Sequence, residues 1–456
     1  MKKSIIRILP ASLLLMMGLT GMIWMDGKEN QHKQYSYFEN PIDCSGCHWD
    51  RYNRWNVSQH SKGFTGDFFQ AQYYDLVLPS LNFDPAVTNA HEGCIGCHSP
   101  SAYLSGDLFP PRTQVTDNHW NLSEKTKTQA DRGVFCDFCH TLDRLQHDPA
   151  FNHDYISHNT SAIDPKRADL EYPWSPYHET QTTEIFEDPN FCATCHNELN
   201  PYNIWVKSTE REYSESVYAT RGILCQECHM QPMAGKPAKM GWQREINHDH
   251  WFGGGFAEFV EGAAAVYLTD TIGPLQPGMP VDFSIRVKAL ATGHNFPTGS
   301  VEERDVWLHV SLNDLSGREI LHIPVPADPT NPHDHWFITS NKKVAYPSHS
   351  RLSKPIERDA LPEGDRIYHS AFLDSEGQFT FAQWFCVQEI QNRLKPLEER
   401  IERYRLTIPE NLPAGDYYLT AVLYYRRMPD SLADFLQIKR RPVIEVSRDV
   451  RKITCR

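Results

Sequence analysis

The alternation of hydrophobic and polar positions divides the chain into three stretches. Residues 1 to 26 place Lys2, Lys3 and Arg7 ahead of an apolar run from Leu9 to Met25. Positive charge followed by a short apolar core at the N-terminus predicts a secretory signal peptide or a signal anchor. No A-x-A pattern closes the run, and its length is near the lower limit for crossing a bilayer, so cleaved export and a retained membrane anchor both stay open. Either way, the bulk of the chain is expected outside the cytoplasm, in the periplasm or at the outer cell surface, possible membrane association resting on this segment.

From residue 40 to about 260 clean amphipathic periods are scarce. His, Trp, Tyr and Pro are frequent, and coil with short helices is the expected structure. Glycines at 253 to 255 and Gly262 mark a linker, and beyond it the pattern changes. Apolar and polar residues alternate over 264–270, 281–290, 305–312, 366–374, 404–409 and 416–426, with Pro, Gly, Asn and Asp turns between them. Period-two alternation bounded by turn residues predicts an antiparallel β-sandwich over 262–456. One helix is expected to interrupt it, from Gln383 to Glu402. The fold class is therefore a two-domain α+β chain, a helix-and-coil domain over 40–260 followed by a β-sandwich-like domain.

The chemistry of the first domain follows from its cysteines. C-x-x-C-H occurs five times, at Cys44-Cys47-His48, Cys94-Cys97-His98, Cys136-Cys139-His140, Cys192-Cys195-His196 and Cys225-Cys228-His229, consuming ten of the twelve cysteines. Two thiols three residues apart form thioethers to the two vinyl groups of one haem, and the adjacent imidazole reaches its iron. Zinc sites and disulfide frameworks do not require a histidine directly after the second cysteine each time. Five covalently attached c-type haems are expected. Their porphyrins would replace much of a side-chain core, which explains the weak periodicity. The formal net charge of −13 excludes the basic face of a nucleic-acid binder and suits attraction to basic patches on redox partners.

Internal duplication is visible. RGVFCDFCH at 132–140 matches RGILCQECH at 221–229, and the Tyr52, Trp55, Ser58 series after the first motif returns as Tyr202, Trp205 and Ser208 after the fourth. Glu210 takes the place of His60 in the second copy. C-x-x-C-H followed by Y-x-x-W-x-x-S-x-H resembles the multihaem cytochromes of the hydroxylamine oxidoreductase superfamily, particularly its small electron-carrying members. GVFCDFCH, and CQECHMQP followed by HWFGGG at 250–255, are similar to patterns of the same family. The resemblance covers residues 40–260. It implies that His60 ligates a haem other than the one on its own segment, and that His250 is a distal ligand.

A second imidazole completes a bis-His haem. The free histidines of the first domain are His60, His91, His119, His147, His153, His158, His178, His248 and His250. His60 and His250 come first as distal ligands; His147, just after a motif, and His91, three residues before Cys94, follow. Met230, Met233 and Met240 are read as packing. In the second domain, TGHNFPTG at 292–299 resembles loops in the C-terminal domains of related multihaem cytochromes. His294 is expected to reach back and ligate a haem, the alternative being a turn whose histidine caps backbone groups. Cys386 and Cys455 form either a disulfide or two buried thiols. Two functions stay open: an electron-transfer protein between redox donor and acceptor, and an oxidoreductase acting on a small nitrogen or sulfur compound at one open haem. The absence of C-x-x-C-K counts against the pentahaem nitrite reductases and favours electron transfer.

Overall fold

The structure is a computed structural model that describes residues 38–113, 128–157, 164–344, 352 and 354–456. The predicted signal or anchor segment, His119 and His158 lie outside the described residues. No helix among the described residues is long and apolar enough to cross a membrane.

In the first region every C-x-x-C-H motif closes, or directly follows, a short helix. These are α1 Pro41–Ser45, α3 Ala90–His98, α4 Cys136–His140, α5 Pro189–His196 and α7 Cys225–His229; α2 Trp49–Val57 and α6 Thr209–Ser214 follow the first and fourth motifs. Residues three apart share a helix face, which sets the two cysteines of the second to fifth motifs on one side of their helices. Local chemistry starts two of the helices. Asn40 and Asp188 accept from the backbone N–H of Ile42 and Asn190 at 3.1 and 2.8 Å, and Pro41 and Pro189 occupy the first helical positions, where a missing N–H costs nothing. The duplicated Arg-Gly pairs also share a backbone state, Gly133 and Gly222 having φ of 62° and 68°. A Cβ on Gly133 would sit 2.5 Å from the carbonyl of His60, so that glycine also permits a close approach of two chains.

The second region is a two-layer antiparallel β structure. One sheet has the order β8-β2-β1, from β1 Ala264–Leu268, β2 Pro280–Ala289 and β8 Glu399–Thr407. The other has the order β4-β3-β9-β10, from β3 Asp305–Asn313, β4 Glu319–His322, β9 Gly415–Arg426 and β10 Val443–Cys455; β5 Arg366–Ile367 also pairs with β3. A ribbon of β6 Ser370–Leu373 and β7 Gln388–Gln391 lies beside them. Phe283, Ile285 and Val287 of the smaller sheet meet Val306, Leu308, Val310, Leu419, Ala421 and Leu423 of the larger in one core. The α+β fold class is as expected.

Two details differ from expectation, and a third decides an alternative that the sequence left open. The helix predicted over 383–402 is a short 3₁₀ turn at Gln383–Phe385, then β7, then the start of β8. Pro396 removes a helical hydrogen bond, and β8 instead pairs along β2 from Lys288↔Glu399 to Pro280↔Thr407. The strand predicted over 366–374 is split between β5 and β6 by Tyr368, whose fully buried ring sends its hydroxyl to Glu402 at 3.0 Å. Cys386 and Cys455 are two buried thiols and not a disulfide, Cys455 lying in the sandwich core and Cys386 among Val206, Val301 and Phe372.

The composition change near residue 260 is not a gap in the packing. Phe64, Phe69, Tyr73 and Leu76 share one core with Phe337, Phe379, Phe381, Trp384 and Phe435. Polar links add to it: Asn200 donates to the carbonyls of Gln383 and Cys386 at 2.8 and 2.7 Å, and Glu212 pairs with Arg393.

Candidate haem-binding centre

The five motif histidines are prepared as metal ligands by their surroundings. His48 and His98 each hold Nδ1 2.8 Å from a carbonyl oxygen, of Pro237 and Gly63 respectively; His140 holds it 2.6 Å from that of Arg167, and His229 is bonded in the same way to Gly253. A carbonyl only accepts, so Nδ1 carries the proton and Nε2 keeps its lone pair for a metal. Such an outer hydrogen bond also fixes ring orientation. Burial favours the neutral ring as well. It pushes His98 and His196 down to about 4, and lowers His48, His140 and His229 below the ordinary imidazole range.

The structure sets a second imidazole opposite four of these five. Ring centroids are 6.5 Å apart for His48 and His178, 6.2 Å for His196 and His60, 6.1 Å for His140 and His250, and 6.2 Å for His229 and His294. Two imidazoles sharing one metal, each bonded at about 2.0 Å, have centroids about 6 Å apart. Three of the opposing rings also direct Nδ1 to a carbonyl: His178 to Glu179 at 2.9 Å, His250 to His248 at 3.0 Å and His294 to Asn295 at 2.9 Å. Burial pushes His60 and His250 down to about 3, keeping both neutral at physiological pH. The donor set therefore fits covalent haem: a thiol pair, a neutral imidazole beside it and, at four sites, a second imidazole at the spacing one iron requires.

The remaining predicted ligands lie elsewhere. His147 is largely exposed, with Nδ1 2.9 Å from Asp154. His91 is buried and stacks on Phe109 at 4.4 Å. Neither ring is set against a motif histidine. His178 was among the free histidines of the sequence, yet nothing nearby marked it, and its pairing with His48 is made by the fold alone. Glu210, standing where a second His60 would be, accepts a hydrogen bond from Asn197 at 3.0 Å and braces the turn after α5. His98 has a different neighbourhood. Phe69 stacks on its ring at 4.2 Å, and the charge of half-buried Lys207, paired with Glu198, adds to the fall in its proton affinity.

The motifs also touch one another. The neighbouring thiol of Cys136, together with burial, holds the Cys44 thiol well above its ordinary value; Cys195 does the same for Cys97, and Cys225 for Cys192. These contacts join the first motif to the third, the second to the fourth and the fourth to the fifth.

Residues 43–141, which hold the first three motifs, match the family described as Cytochrome c554 and c-prime. Among solved structures, a penta-heme cytochrome c552 from Thermochromatium tepidum is similar to this chain with a TM-score of 0.56 and 17% identity, over 92% of this chain and 100% of that one. The two chains share a fold. The sporulation control protein Spo0M from Bacillus subtilis also matches, at 12% identity over 42% of this chain and 49% of its own, but its TM-score of 0.16 carries no argument. A comparison with curated proteins gave no match. The family match and the motifs together support covalently attached c-type haem.

The carbonyl under His229 offers a local test. A Cβ on Gly253 would fall 2.1 Å from the ring of Phe259, which itself stacks on His229 at 5.3 Å. Gly253→Ala is expected to displace Phe259 and loosen the His229 tether, shifting the midpoint potential of one haem in a spectroelectrochemical titration without loss of haem content. An unchanged titration would show that the tether is dispensable.

Proposed function

We propose that the chain is an exported pentahaem c-type cytochrome of the hydroxylamine oxidoreductase superfamily, which passes electrons between redox partners in the periplasm or at the cell surface. Each haem, when bound, supplies a one-electron ferric/ferrous couple. The ten motif cysteines hold the five groups covalently, and His48, His98, His140, His196 and His229 are the proximal ligands. His178, His60, His250 and His294 are the distal ligands opposite His48, His196, His140 and His229. The observation that carries this reading is the set of four facing imidazole pairs. A site built to bind a small substrate keeps one iron position open, whereas paired imidazoles would fill both positions at four of the five sites. Touching motifs supply short steps from site to site. The acidic surface would meet basic patches on a donor or acceptor.

Low-temperature electron paramagnetic resonance with visible spectra of the oxidised and reduced protein tests this. Low-spin signals should dominate, and the mass should equal the polypeptide plus five haems, with Cys386 and Cys455 unmodified. Fewer than five haems after full maturation would sink the pentahaem reading. His60→Ala is expected to turn the haem on Cys192 and Cys195 high-spin while five haems are retained; an unchanged spectrum removes His60 from the ligands.

A second reading, an oxidoreductase acting on a small nitrogen compound, draws on the surroundings of His98. The charge of Lys207 acts on His98 and also on two buried carboxyls. Burial holds Glu302 well above the ordinary carboxylate range and pushes Glu303 up to about 7. Such groups store protons near a redox centre. A high-spin signal assigned to the His98 haem, together with turnover of hydroxylamine or nitrite, would favour this reading.

A further inference from the structure

A cluster of potential metal ligands stands apart from the haem motifs, on the outer face of the larger sheet. His309 lies in the middle of β3, between Trp307 and Ser311, on the side facing away from the sandwich core. Two short strands share the free edge of β3. β4 pairs at its far end, Ser311 opposite His322, and β5 pairs at its near end, Leu308 opposite Arg366. This arrangement brings His322, and Asp365 just before β5, to the two flanks of His309. His309 Nδ1 is 2.8 Å from Asp365 Oδ2, and His322 Nε2 is 2.7 Å from Asp365 Oδ1. One ligand atom from each of the three residues lies within 4.8 Å of the others. Asp365 is fully buried, held by backbone and side-chain hydrogen bonds to Thr339, and the two imidazoles are partly open.

We propose that His309 Nδ1, His322 Nε2 and Asp365 bind a divalent transition metal of the zinc class, as a site separate from the haems that ties β4 and β5 to the edge of β3. Two imidazole nitrogens and one carboxylate are an ordinary donor set for Zn²⁺, leaving a fourth position for water. Tetrahedral bonds of about 2.0 to 2.1 Å place ligand atoms about 3.3 Å apart, so small side-chain rotations convert the present contacts into a coordination shell. A second feature points to a metal as well. The far nitrogen of His309, Nε2, is 2.9 Å from Glu319 Oε2. That is the carboxylate–imidazole–metal relay by which metal-binding histidines are oriented and made better donors.

The test uses the haem-loaded full chain, stripped of loose metal with a chelator and titrated calorimetrically with zinc chloride. Metal analysis counts zinc against haem iron. One zinc per chain is expected, with haem spectra unchanged. His322→Gln and Asp365→Asn should each weaken binding at least 100-fold. Glu319→Gln, at an exposed position that does not endanger folding, should weaken it about 10- to 100-fold. Absence of stoichiometric zinc binding overturns the proposal. So does binding that survives unchanged in His322→Gln and Glu319→Gln, since the metal would then sit on other histidines.

Discussion

Arg393→Ala should destabilise the folded chain by about 3–5 kcal/mol, the usual cost of leaving one member of a buried ion pair without its partner. Arg393 in the β region and Glu212 in α6 have side chains only 1% and 6% exposed. Glu212 is the node of the contact between the two regions. Its carboxylate also accepts from Ser208 at 2.7 Å, from the backbone of Asn295 at 3.2 Å and from Thr298 at 2.8 Å. Loss of the guanidinium would leave that carboxylate buried with neutral donors alone, and would free the carbonyl of Pro297, which Arg393 reaches at 3.3 Å. Denaturant unfolding followed by circular dichroism gives the measurement. The double change Glu212→Gln with Arg393→Met removes both charges and should cost much less than the sum of its parts, the signature of direct coupling. A loss under 1 kcal/mol in Arg393→Ala would mean that this ion pair does not hold the regions together.

What the chain disclosed in advance follows the range of the interactions involved. The five attachment motifs were plain because covalent haem chemistry needs its three residues within one helical turn. His60, His250 and His294 were marked by the segments around them, and the structure sets each against a motif histidine. His178 carried no such mark, because its position opposite His48 depends on a fold that joins residues 130 apart in sequence. His91 and His147 were chosen for nearness to a motif along the chain. Nearness along the chain is not nearness to the open side of a ring, and the His147 ring instead lies beside Asp154, its Nδ1 2.9 Å from the carboxylate. In the β region the alternating strands were legible, but the charged run through Glu398, Glu399 and Arg400 resembled a helix surface. It is an exposed strand whose charges pair across the sheet, Lys288 with Glu399 among them. The final strand, β10, was missed for the same reason: most of its side chains are solvated, so apolar alternation is thin. The His309, His322 and Asp365 cluster was invisible in sequence, its members coming from two strands and the residue before a third, up to 56 residues apart.

His294→Ala is the change expected to alter both the spectrum and the mechanics of the molecule. The loop from Thr292 to Gly299 is pinned on both sides. Phe296 exchanges two backbone hydrogen bonds with Leu394, at 2.8 and 3.0 Å, while Thr298 is bonded to Thr209 of α6 at 2.9 Å. Gly299 at φ 82° turns the chain where a β-carbon would be strained. The ring is thus presented by a backbone already fixed, so little conformational entropy is lost in aiming it. It stands 6.2 Å from His229 with the planes 17° apart. If iron joins the two, the β region supplies one ligand of the fifth haem, and removing the imidazole leaves that iron five-coordinate. One additional high-spin signal should appear with all five haems retained, and the unfolding midpoint should fall because a cross-link between the regions is lost. Added free imidazole should enter the space vacated by the ring and restore the low-spin spectrum, which a merely structural defect would not allow. If the variant keeps its full low-spin spectrum, His294 is a brace in the turn, and the attachment of the β region rests on Glu212, Arg393 and the shared core.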